Sequence, residues 1–141
     1  VTTDNDQFVS YMGFAPTDIT NAMAINGDDG VELFCNDIIV DTFGDINVDG
    51  NGEAWEYLDG WAYRNSDTGP DGAAFVIENW IFSGANALDG EATNDTAASK
   101  FPVKSFTGDG GENGDGGEVE VSLLIGLIET SSIYLLTSLD L

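Results

Sequence analysis

Histidine is absent from the chain, cysteine occurs once and basic residues three times, against 26 acidic residues in 141. Each shortage excludes something. Without histidine there is no Ser-His-Asp or Cys-His nucleophile, and the commonest zinc ligand is missing. A lone cysteine, Cys35, forms no internal disulfide; within the apolar run VELFCNDIIV it reads as a small buried core residue. Three cations (Arg64, Lys100 and Lys104) do not build the basic patch that grips a phosphate backbone. A formal charge of −23 repels nucleic acid and anionic lipid headgroups alike, so neither is expected as a partner. Membrane insertion is not expected either: the longest apolar run, VSLLIGLIETSSIYLL, carries Glu129 and several polar residues and has no basic flank. No signal peptide is legible, and an opening Val1 in place of Met suits a processed protein, an excised domain or a sequence truncated at its source.

What is present points to a single β-rich domain. Hydrophobic residues make up 42% of the chain and aromatics 11%, enough for a core at this length. Glycine numbers 18, and aspartate dominates the acids; both favour turns and avoid helix interiors, which predicts an all-β, mostly antiparallel fold with long acidic Gly/Asp-rich loops. So dense a negative charge repels itself unless high salt or bound divalent cations screen it, which places the chain in a saline or calcium-containing setting outside the cell.

Along the chain, residues 1–7 read as a frayed polar start, and 8–25 as a short strand or one helical turn. NGDDG at 26–30 is a turn. VELF at 31–34, a tight turn at 36–38 and IIVDTFG at 38–44 make a β-hairpin. AWEYLDGWAYRN at 54–65 reads as a strand or an aromatic corner. AAFVIENWIFSG at 73–84 reads as one or two strands broken near Glu78-Asn79. Residues 85–99 form a long loop, and FPVKSF at 101–106 a short closing segment with Pro102 at an edge. TGDGGENGDGG at 107–117 is a flexible acidic linker. Residues 118–141 supply further strands, which either complete the main fold or pair with another chain.

The sharpest chemical signal is DINVDGNGEAWE, residues 45–56, which satisfies the calcium-loop spacing. Asp45, Asn47 and Asp49 would offer side-chain oxygens and Asn51 a backbone carbonyl. Gly50 would permit the bend, Glu53 would act directly or through water, and Glu56 would close the site with both oxygens. The preceding segment is a strand, not the helix of an EF-hand, so a solvated acidic turn stays open beside a calcium site. Asp28 and Asp29 either cap their turn or join neighbouring loops around a metal. Asp109, Glu112, Asp115 and Glu118, in and beside the linker, bind cations weakly at best. Trp55, Tyr57, Trp61, Tyr63 and Trp80 are either core and corner residues or the surface of a carbohydrate-binding face. Asn94-Asp95-Thr96 meets the N-glycosylation pattern. With 26 acids some pair of carboxylates falls at glycosidase spacing by chance, and nothing selects one, so a fragment of an extracellular hydrolase ranks last.

The run Asn26-Gly27-Asp28-Asp29, Val31, Leu33, Val40-Asp41, Phe43-Gly44 and Trp55, followed by WIFSGANALDG at 80–90, resembles the lamin-tail-type domains of secreted and marine bacterial proteins. The resemblance spans roughly residues 8–106. It implies an immunoglobulin-like β-sandwich over residues 1–106 and a non-catalytic interaction or assembly module at the cell surface or beyond. The family's opening strand and long hairpin are not found here, so the chain resembles the later half of such a domain with an unrelated tail. Strands 118–141 would then fill the missing positions, or two chains would exchange strands as a homodimer.

Overall fold

The computed structural model describes residues 1–21, 24–103 and 105, together with the backbone of two strands, Leu123–Ile128 and Ser131–Leu136. The protein is β-rich; the described residues hold one α-helix (α1, Asn5–Met12) and six strands: β1 (Val31–Cys35), β2 (Ile38–Phe43), β3 (Trp61–Arg64), β4 (Trp80–Phe82), β5 (Leu123–Ile128) and β6 (Ser131–Leu136). β1 and β2 form one antiparallel sheet; the other has the order β4-β3-β5-β6 and is antiparallel throughout. Among the described residues no helix is long and apolar enough to cross a membrane.

The amino terminus departs from the expected frayed start. Val1 and Thr2 are buried, and Thr2 bridges to Ile19 through Thr2 N–H to Asp18 O at 3.0 Å and Thr20 N–H to Thr2 O at 2.9 Å. The helix starts as early as Asn5 because Asp4 is an N-cap: its Oδ1 accepts from Gln7 N–H at 3.0 Å. Gly13, with φ 78°, ends α1 in the left-handed conformation and donates to Val9 O at 2.9 Å. Phe8 and Tyr11, three apart, share the buried face.

The β1–β2 hairpin forms as expected. Asn36 and Asp37 adopt φ of 49° and 62°, the two-residue left-handed turn that matches strand twist. Leu33 pairs with Asp41 and Phe34 with Ile39, so Val40 is an extra residue on β2 and the ladder bulges there. The segment 73–84 breaks near Glu78-Asn79 as expected, though the part before β4 is a single 3₁₀ turn, Ile77–Asn79.

β3 is buried along its whole length and separates two cores. Strand alternation sends Trp61 and Tyr63 to one side, against Phe8, Tyr11, Leu88 and Phe101. Ala62 faces the other side, with Phe43, Trp55, Tyr57 and Trp80. Phe43 centres that second core, edge-on to Trp55, Tyr57, Phe75 and Trp80 at 6.0, 5.3, 5.3 and 4.8 Å between ring centroids. The closing segment is held by Phe101, packed on Trp61 and Tyr63, and forms no edge strand within 101–103. The carboxy-terminal hairpin joins the main sheet, with Trp61 opposite Gly126 and Ala62 opposite Ile125. The linker 107–117 lies outside the described residues, and with it Asp109, Glu112 and Asp115; Glu118 and Lys104 also lie outside them.

Candidate functional site

The turn at 26–30 and the loop at 45–56 are stitched into one surface. Gly50 N–H donates to Asp28 O at 3.0 Å, Tyr57 N–H to Gly27 O at 2.8 Å, and the Tyr57 hydroxyl to Asp29 O at 3.2 Å. The Trp55 ring seals the loop from beneath. A Cβ on Gly50 would stand 2.4 Å from that ring and 2.6 Å from Asp28 O, so glycine is required here by close packing.

Between turn and loop lies an open pocket of about 330 Å³ lined by Asn26, Asp28, Asp29, Gly30, Ile46, Val48 and Asp49. Burial, and then the neighbouring charges of Asp29, Asp49 and Glu56, push the Asp28 carboxyl above the ordinary aspartate range; a backbone hydrogen bond opposes them only in part. Ionising Asp28 at neutral pH therefore works against folding. That penalty is relieved below the unfolded-state value and grows as pH rises through the folded one.

The sequence-predicted ligands do not arrive as a finished cage. Asp45 Oδ1 accepts from Asn47 N–H at 2.9 Å and from Asn47 Nδ2 at 3.2 Å. Asp49 Oδ1 accepts from Asn51 N–H at 3.0 Å, and Glu56 Oε2 from Gly52 N–H at 3.0 Å. Asp45, Asn47, Asp49, Asn51 and Glu53 are exposed, and Glu56 is partly buried. Among the described residues no three acidic or cysteine side chains stand together as a metal centre. Asp29 caps its own turn, with Oδ2 accepting from Asn26 N–H at 3.0 Å.

The proposed sugar-binding aromatics require a correction. Trp55, Tyr57, Trp61, Tyr63 and Trp80 are all buried, divided between the two cores, and form no exposed platform. Their alternation along 55–63 reflects a corner and a strand that feed both sides of the sheet. Asn94 is also engaged: its Nδ2 donates to Phe101 O at 3.1 Å and its Oδ1 accepts from Phe101 N–H at 2.7 Å, which holds the long loop closed.

One buried cluster escapes sequence reasoning. Arg64 is fully buried, its Nη2 bonded to the equally buried Asp41 and its Nη1 to Asp71 at 2.9 Å. The guanidinium lies over the Trp80 ring, 4.5 Å from its centroid. Gly69 packs against the guanidinium so closely that an added Cβ would stand 2.3 Å from Nη1. Asp41 Oδ1 also accepts from Thr42 N–H at 3.1 Å and Asp71 N–H at 3.2 Å. Burial raises the Asp71 carboxyl, but Asn79 Nδ2 at 2.9 Å and the hydrogen bond and charge of Arg64 outweigh it and hold the group below the usual range. The available signal was a single arginine inside the apolar strand WAYR.

Comparisons with protein-family models, with curated proteins and with solved structures find no match for this chain.

Proposed function

We propose that this chain is a non-catalytic interaction or assembly module of the cell surface or extracellular space, adapted to saline surroundings and stabilised by calcium. The observation that carries the cation is the raised Asp28 carboxyl, crowded by Asp29, Asp49 and Glu56 beside a polar pocket. A divalent cation there neutralises mutual repulsion, and oxygen donors of this kind suit calcium. The site differs from an EF-hand. Asp28, Asp29 and Asp49 line the pocket between turn and loop but stand apart rather than as a three-carboxylate cage, so a cation would have to draw them together.

The immunoglobulin-like arrangement belongs to the same proposal. Its support is two antiparallel sheets joined through an aromatic core, with lamin-tail-like residues in the hairpin. The excess of acids supports partners other than nucleic acid.

Titration calorimetry with calcium chloride on the full chain tests the reading. The native chain is expected to bind saturably, and Asp28→Asn with Asp49→Asn to lose at least about tenfold in affinity, roughly 1.4 kcal/mol. Unchanged binding in that double variant would remove the pocket from the account.

A further inference from the structure

The chain contains three Asn-Gly pairs, at 26–27, 51–52 and 113–114, and the last lies outside the described residues. Glycine has no Cβ, so its amide nitrogen has free approach to the side-chain carbonyl carbon of the asparagine before it. The fold treats the two described pairs differently. Asn26-Gly27 is pinned: Gly27 is buried, its carbonyl accepts from Tyr57 N–H at 2.8 Å, and Asn26 N–H is held by Asp29 Oδ2 at 3.0 Å. Asn51 and Gly52 are both exposed, and an added Cβ at Gly52 would meet nothing within 4 Å. The Asn51 side chain makes no hydrogen bond among the described residues; the bond to Asp49 is from its backbone N–H. Gly52 N–H, which carries the attacking nitrogen, donates to Glu56 Oε2 at 3.0 Å. A general base must lie within hydrogen-bond reach of the proton it takes, and Glu56 does.

We infer that Asn51 is a self-modification site, at which the folded chain converts its own amide to a carboxylate with Glu56 as the base. Glu56 takes the Gly52 amide proton as that nitrogen attacks Asn51 Cγ. The new N–Cγ bond closes a succinimide ring, and the Cγ–Nδ2 bond breaks. Glu56 returns the proton to Nδ2, which leaves as ammonia. Water then opens the ring at either carbonyl and leaves aspartate or isoaspartate. Water is the only co-reactant, and nothing is oxidised or reduced. The loop gains a carboxylate between Asp49 and Glu56, and the isoaspartate product also lengthens its backbone by a methylene. The fold thus builds a change of charge and length into the acidic loop and withholds it from the turn at 26–30. The inference does not depend on the cation.

Peptide mapping by mass spectrometry of the full chain, aged in EDTA at neutral pH, tests it, with isoaspartate counted by enzymatic methylation. Each Asn-Gly pair is read from its own peptide. Conversion at Asn51 is expected to outrun that at Asn26 by about tenfold or more, because Asn26-Gly27 must first give up two hydrogen bonds. In urea the two rates converge, since both are Asn-Gly. Glu56→Gln keeps an acceptor for Gly52 N–H but takes no proton; it slows Asn51 by about tenfold or more and leaves Asn26 unchanged. Near-ultraviolet circular dichroism checks that this variant keeps the fold. Equal rates at Asn26 and Asn51 in the folded chain overturn the inference, and so does a difference that persists in urea. Conversion at Asn51 that is unchanged or faster in Glu56→Gln removes the base and overturns it too. Because calcium is excluded, failure here leaves the cation proposal untouched.

Discussion

Arg64 and Asp28 show opposite uses of charge by single residues. Arg64 is buried against two carboxylates, an aromatic face and a glycine backbone, although its Nε and Asp41 Oδ2 find no hydrogen-bond partner among the described residues. It ties β3 to β2 and to the loop after it. Removing one partner strands a charge where water cannot reach it. Asp41→Ala is therefore expected to cost about 3–5 kcal/mol in urea unfolding at neutral pH. A loss below about 1 kcal/mol would mean that Arg64 is not held by Asp41 in solution. Asp28 has the reverse setting: burial and then like charges nearby raise its carboxyl, and the proposed cation would relieve that.

At the scale of elements, the loop 45–56 owes its shape to packing as much as to chemistry. Gly50 lies on Trp55, and Trp55 lies on Phe43, the centre of a core. Gly50→Ala pushes the ring or the Asp28 carbonyl aside and is expected to destabilise by about 1–3 kcal/mol, read by chemical denaturation in EDTA. An unchanged midpoint would mean that the loop is not seated on Trp55. The hairpin was legible because Asn36-Asp37 sits between two apolar runs, and turn chemistry is local. The break before Trp80 was legible for the same reason. Helix α1 was not fully legible. Its eight residues carry only two buried positions, and its start depends on Asp4, which resembles any polar terminal residue until Thr2 is seen bridging to Ile19. The calcium spacing was legible in sequence, but its oxygens turn toward the loop's own N–H groups, and it is the distant Asp28 and Asp29 that share the pocket with Asp49. That convergence is tertiary and leaves no spacing to read. The buried Arg64 network joins residues 41, 64 and 71 for the same reason.

As a whole, the molecule sets two aromatic cores on either side of β3 against a surface of overwhelmingly one sign. Of the three cations, Arg64 is consumed inside, and among the described residues Lys100 pairs with Asp95 alone, at 3.9 Å, in an exposed contact of little value. Folding therefore concentrates negative charge without internal neutralisation at the surface, so the surrounding ions become part of the stability. General salt screening and a defined calcium site both raise stability, but they differ in ion selectivity. Thermal unfolding in EDTA, in excess calcium, and in magnesium or sodium at matched ionic strength separates them. The account predicts a midpoint rise with calcium well beyond that with either other ion. Equal rises with calcium, magnesium and sodium would contradict it and leave the acidic loop a screened turn.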